Sequence, residues 1–582
     1  MSHVVCAHPP ARSSVSLVRQ ARVLRAVAAA ALLASATGCQ YLQFLPFLKR
    51  QEDLRPLGRR TTQRGPAFGA GTTAVPDEGA DWPAYNGTPD AARWSPLAEI
   101  TVANVSTLHP VCTARLGERA AMQSGPVVIG GTMYVTTATS TYALDAATCA
   151  RRWTHRYRYW PKPDYDLKVN RGVAYVGTPD GPRLVRGAND GRVYALDART
   201  GEEVWNVRAG DVARGETFPA APVAWHGLVY IGNAGGDNFG VTGRMMAFDA
   251  RTGSRVWSFE LVARTDSATL TWPAESNRVP RAGGTTWSSY TLDTLAGVLF
   301  VSTGNAAPDF LAAVRPGANA YTYSVVALDA RTGALRRAYP LLETDVHDYD
   351  VAAAPLLVRD ARGRELVIAA GKDGHVYGLS RDDGARVYTT AVTTIDNSAP
   401  LSATPTRFCP GVQGGTEWNG PAYSPAARLL FVSAVDWCTT VSLTTPHALK
   451  NKVGIPWTGS AKLTQPFGKQ DPKGQASGWL TALDATSGAI RWRYHSPTPL
   501  VAGVTATAGG LVFTADLAGH VLAFDAATGV ERYRYDAGEP VGGGVVTYAV
   551  HGRQYVAAAV GLHAPLSWQV TAKEARVVVL GM

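Results

Sequence analysis

Apolar and polar residues alternate along most of this chain in short runs, and many of the runs end in one recurring phrase. It reads YALDARTGEEVW from Tyr194 to Trp205, MAFDARTGSRVW from Met246 to Trp257, and LAFDAATGVERY from Leu522 to Tyr533. The alternation has the period of a strand with one buried face. Asp and Gly then break it. The Asp can bond backbone N–H groups just ahead of it, and the Gly supplies a positive φ. A large ring opens the next run and offers a regular anchor between neighbouring sheets. The phrase therefore predicts strand, tight turn, strand.

Copies centre on Asp145, Asp197, Asp249, Asp329, Ser380, Asp484 and Asp525, at successive spacings of 52, 52, 80, 51, 104 and 41 residues. Because 104 is twice 52, one eroded unit is expected in that stretch, with Tyr423–Arg428 as its turn. Seven visible copies and one hidden copy make eight. Strand-and-turn repeats of about 40–50 residues predict an all-β fold, an eight-bladed β-propeller of four-stranded antiparallel blades. A stacked β-solenoid is the competing architecture, but these units are long and turn-rich for it. The spacing of 80 leaves an insertion of roughly 30 residues beyond an ordinary blade. Insertions between blades gather on one face, where a site is expected.

With 582 residues, 46% of them hydrophobic, and 15 Trp, the chain can fill one large radial core. The net charge of +10 is concentrated near the start. Arg12, Arg19, Arg22 and Arg25 precede the apolar run Ala26–Ala36, and six Lys or Arg lie between Lys49 and Arg64. The repeat region is much nearer neutral. No basic aromatic motif stands out, so a nucleic-acid role is not indicated. Residues 1–39 read as an export signal, since the apolar run is short for a permanent span. Ala36-Thr37-Gly38-Cys39 resembles a lipobox, which would lipidate Cys39 and give the only membrane contact. The Leu usual three places before the Cys is here Ala36, and Ala34-Ser35-Ala36 also fits an ordinary cut. Residues 40–80, rich in Arg, Gly, Pro and Thr, read as a tether, leaving 81–582 for the propeller. Outside the leader, Cys112, Cys149, Cys409 and Cys438 allow three disulfide pairings, and export makes disulfides plausible. No C-x-x-C-H haem motif occurs.

The repeat resembles the tryptophan-docking motif of quinoprotein alcohol dehydrogenases, eight-bladed propellers that bind pyrroloquinoline quinone (PQQ). The likeness runs from about Asp81 to the C-terminus. It implies quinone contacts from Gln123, from Arg171 in Asn170-Arg171-Gly172, and from Gly235 and Gly236. Trp287 in Gly283-Gly284-Thr285-Thr286-Trp287 would be the stacking floor, and Lys372 in Gly371-Lys372-Asp373-Gly374 would reach the quinone carbonyls. Metal ligands would be Asp237, Asn305 and Asp348, with Asp348 also the catalytic base. Asp350, two residues on, would add a charge to the same site if that segment is extended. A hard ion taking oxygen ligands is implied, Ca²⁺ or a trivalent lanthanide. The resemblance also favours a Cys409–Cys438 bridge, leaving Cys112 with Cys149.

Each residue also has a plainer structural reading: turn Gln, ion-paired Arg, core Trp, exposed turn Lys, solvated acidic loop. Two departures from the family pattern bear on quinone binding. Tyr165-Asp166 stands where many relatives have a vicinal Cys pair. Glu417 stands where Asn is common, and it would repel an anionic cofactor unless paired with Lys372. The implied activity is oxidation of an alcohol or polyol, with electrons leaving to a cytochrome c-like acceptor. The rival function is a non-catalytic propeller lipoprotein serving as a scaffold in outer-membrane protein assembly.

Overall fold

The recurring turn closes through its own side chains. Asp145 accepts the N–H of Ala147 at 3.1 Å and of Thr148 at 2.9 Å, and Arg152 of the following strand reaches it at 2.9 Å. Asp329 repeats the pattern with Arg331, Thr332 and Arg336. The ring at the end of the phrase packs onto the Gly of the next copy. Trp153, Trp205, Trp257 and Trp492 lie against Gly201, Gly253, Gly333 and Gly529. Their indole N–H groups donate to the carbonyls of Ala198, Ala250, Ala330 and Ala526. Gly is thus required twice, for its left-handed backbone and for its missing Cβ.

Gly253 shows both constraints. Its φ is 74°, and an added Cβ would lie 2.7 Å from the Trp205 ring. Gly253→Ala is expected to cost about 1–3 kcal/mol, read as a lower urea midpoint. An unchanged midpoint would contradict the docking account.

The computed structural model describes residues 80–159, 168–265, 267–274, 276, 279–360 and 363–582. The predicted leader, Cys39 and nearly all of the tether lie outside the described residues, as do Tyr165 and Asp166. Eight antiparallel four-stranded blades span 127–156, 174–208, 223–260, 291–340, 356–391, 422–496, 505–536 and 545–581, and are numbered blades 1–8 in that order. Blade 8 takes its outer strand, His109–Arg115, from near the start of the chain, paired with Arg576–Gly581. Trp94–Ser95 adds a short parallel strand to blade 7. Alternate residues of each strand face opposite neighbours. In blade 7, Leu511 and Phe513 pack with blade 8, while Val512 packs with blade 6. Val128 and Tyr142 of blade 1 share a core with Val546 and Tyr548 of blade 8, which closes the ring.

The count of eight stands, but one unit was expected in the wrong place. Pro425–Arg428 is the turn joining Ala422–Ser424 to Leu429–Asp436, the first two strands of the blade that carries Asp484. The spacing of 104 therefore holds one blade, enlarged by an insertion at 437–476, and no hidden unit. The eighth blade is the closing one, assembled from both ends of the described chain.

The disulfides pair Cys112 with Cys149 and Cys409 with Cys438. The first ties the closing strand of blade 8 to the turn of blade 1. The second ties the approach to blade 6 to its insertion.

Candidate active site

In an antiparallel hairpin the start of the first strand and the end of the second lie at the same end. Every predicted site residue falls in one of these two positions. Gln123, Arg171, Trp287, and Asp348 with Asp350 precede the first strands of blades 1, 2, 4 and 5. Gly235–Asp237, Asn305 and Lys372 follow the second strands of blades 3, 4 and 5. All therefore emerge from one end of the ring. The blade 6 insertion meets two of these loops, since Trp457 N–H donates to the Asp237 carbonyl at 2.5 Å and Phe310 N–H to the Thr458 carbonyl at 2.8 Å.

Carboxylates converge there. Oxygens of Asp237, Asp309 and Asp348 lie within 4.8 Å of one another. Lys372 Nζ donates to Asp348 Oδ2 at 3.2 Å and to Asp350 Oδ2 at 3.4 Å. The other Asp350 oxygen accepts the Asn305 N–H at 3.0 Å. Burial raises Asp237 to about 7, with the Asp350 charge adding and Lys372 opposing. Burial likewise holds Asp348 well above the carboxylate range; Lys372 opposes this, while Asp237, Asp350 and Asp345 add to it. Burial works against the Lys372 charge, but Asp348, Asp350 and Glu417 hold its pKa well above the usual ammonium value. Lys372 is only 5% exposed, so the exposed-turn reading fails.

The arrangement of the two acids differs from an extended strand. Asp348 has φ of 63°, a left-handed conformation that is uncommon outside Gly. Both acids still reach Lys372, but Asp348 belongs to the group of three carboxylates, while Asp350 also accepts the Asn305 backbone N–H. The third carboxylate is Asp309, which sequence reasoning missed. It follows Pro308 directly, and its only sequence signal was an acid in the loop already singled out for Asn305.

A second group lies beside the first. The Arg171 guanidinium sits 4.7 Å from the Trp287 ring centre and 5.4 Å from that of Trp418. Its Nη1 donates to the Trp287 carbonyl at 2.7 Å, and it makes no ion pair among the described residues. Burial lowers Arg171 to about 10. Gly125 N–H donates to the Arg171 carbonyl at 2.9 Å, which brings the Gln123 segment alongside. Gly236 N–H donates to Thr285 Oγ1 at 3.2 Å, joining the Gly235–Gly236 turn to the Trp287 loop. Glu417 does not pair with Lys372, whose ion pairs go to Asp348 and Asp350. Burial instead raises Glu417 to about 7, against the pull of Lys372 and Arg171.

Several buried polar atoms around this end of the ring have no partner: Gln123 Oε1, Arg171 Nε, both Asp309 carboxylate oxygens, Thr416 Oγ1 and Glu417 Oε1. Buried polar groups are ordinarily satisfied. Clustered acids suit a multivalent hard cation. Unpaired donors and acceptors near an indole suit a planar polar ligand.

Residues 82–399 match the family model of the glucose/ethanol/alcohol dehydrogenase β-propeller domain. The chain belongs to the PQQ-dependent alcohol dehydrogenase family. A quinohemoprotein alcohol dehydrogenase of Comamonas testosteroni is 30% identical over 83% of this chain and 72% of its own. Methanol dehydrogenase [cytochrome c] subunit 1 of Methylorubrum extorquens is 29% identical over 81% of this chain and 82% of its own. A solved europium-containing methanol dehydrogenase superposes with a TM-score of 0.75 at 25% identity, covering 87% of this chain and 99% of that one. A second family model, outer membrane protein assembly factor BamB, matches residues 476–579, within blades 6–8. The chain is a PQQ-dependent alcohol dehydrogenase-like oxidoreductase, with the eight-bladed fold expected from its repeats.

Proposed function

We propose that this family member oxidises an alcohol or polyol at the carboxylate cluster and passes the electrons to an external cytochrome c-like protein. The convergence of Asp237, Asp348 and Lys372 at one point, beside Arg171 and Trp287, carries this reading. Gln123, Arg171, Trp287, Lys372, Gly235 and Gly236 would hold the quinone. Asp237, Asn305, Asp348 and Asp350 would supply or brace the ligands of a Ca²⁺ or lanthanide ion. When bound, the quinone supplies a two-electron acceptor and the ion a Lewis acid beside it. Asp348 takes the substrate hydroxyl proton. Lys372 orients Asp348 and favours its ionised form against the cost of burial. Arg171, with Nε unpaired, is suited to a carboxylate, which its planar fork can grip. The two disulfides fit an oxidising compartment, and with the expected leader they support export to the periplasm.

The test is the melting temperature with and without PQQ plus Ca²⁺ or a lanthanide. A ligand that binds only the folded chain raises it, whereas an empty scaffold shows no shift.

Glu417 sets a pH dependence. Its pKa is raised to about 7, so it is protonated below that pH and can donate to an anionic ligand. Ionised above that pH, it repels one. Quinone affinity is expected to be level below that pH and to fall by up to about tenfold per pH unit above it. Glu417→Gln keeps a donor and should flatten the profile in quinone titrations at pH 6 and pH 8. An equally steep fall in the variant would remove Glu417 from the site.

A further inference from the structure

Asp309, itself fully buried, is the carboxylate of the cluster whose two oxygens are both buried and unpartnered. A cation stands close by yet leaves them bare. Arg315, also buried, donates to the carbonyls of Pro308 at 2.9 Å, Asp309 at 2.8 Å and Asp345 at 2.6 Å, and to Asn319 Oδ1 at 2.9 Å. Arg315 thus grips the Asp309 backbone and leaves the carboxylate free. The freed oxygens face those of Asp237 and Asp348, all within 4.8 Å. An unpaired buried carboxylate is costly, and it persists where a ligand completes it.

We infer that Asp309 is a direct ligand of the ion and that, with Asp237 and Asp348, it matches the site to a trivalent cation over Ca²⁺. Charge supports the second half. Asp237, Asp309 and Asp348 bring three carboxylates to one point, one more than a divalent ion balances, while Asp350 is paired with Lys372. Ligand charge and rigidity tune selectivity among hard ions. The inference rests on the ion site proposed above.

The test is calorimetric titration of the chelator-stripped full chain with terbium and with calcium, alongside Asp309→Asn and Asp237→Asn, plus metal-free melting temperatures. Wild type is expected to bind terbium at least a hundredfold more tightly than calcium. Asp309→Asn should lower terbium affinity at least tenfold and narrow that ratio. Its metal-free melting temperature should equal that of wild type, because neither carboxylate oxygen makes a hydrogen bond that the amide would lose. Affinities within threefold of wild type in Asp309→Asn, with binding lost in Asp237→Asn, would overturn the role of Asp309 and leave the ion site standing. A clearly lower metal-free melting temperature in Asp309→Asn would assign it a structural role and overturn the inference. Wild type binding neither ion would overturn both readings.

Discussion

Asp348→Asn is expected to lower turnover of an alcohol about a thousandfold while quinone binding and folding persist. The amide keeps the size and one hydrogen-bonding oxygen, so Lys372 Nζ retains a partner at the position it now reaches at 3.2 Å. What disappears is the ability to take a proton. Burial and three neighbouring acids push Asp348 toward its neutral form, and Lys372 opposes them. A bound cation would work in the same direction as Lys372. Activity should therefore depend on the ion more steeply than quinone binding does. Steady-state kcat beside the melting temperature separates the outcomes, and a rate within tenfold of wild type would exclude Asp348 as the base.

Lys372→Met is expected to have the largest effect on stability. Lys372 is 5% exposed, and its ammonium pairs with Asp348 at 3.2 Å and Asp350 at 3.4 Å. Removing one partner of a buried ion pair leaves the other charges uncompensated and costs about 3–5 kcal/mol. The sign of the pH dependence follows from Asp348, whose pKa is raised. At low pH its carboxyl is neutral and needs no counter-charge. As pH rises it must ionise without one. The loss should be greater at pH 8 than at pH 5, and added Ca²⁺ or lanthanide should recover part of it. Urea unfolding at both pH values measures this; equal stability of variant and parent at pH 8 would contradict the account.

The ring was legible because each turn carries its own explanation. Asp caps the backbone, Gly bends it, and the preceding Trp needs the space that Gly leaves. The eighth blade was misplaced because local arithmetic cannot register a strand supplied from the far end of the chain. His109–Arg115 pairs with Arg576–Gly581 and carries no copy of the phrase. An insertion that happened to double one spacing imitated a missing unit. The convergence was legible where Gly-rich segments set off a single side chain, as at Trp287 and Lys372. It was not legible where no such segment marks the residue. Asp309 stands out only because the fold brings it to Asp237 and Asp348. The left-handed backbone at Asp348 is likewise set by its surroundings and has no signal in the residue itself.

The central claim is that these dispersed side chains form a working quinone and metal site. The most direct measurement is dye-linked electron transfer by the full chain, reconstituted with PQQ and either Ca²⁺ or a lanthanide, over a panel of alcohols and polyols. Saturable dye reduction that requires quinone, ion and alcohol together is the predicted result. Quinone and ion bound with no alcohol-dependent reduction across the panel would contradict it.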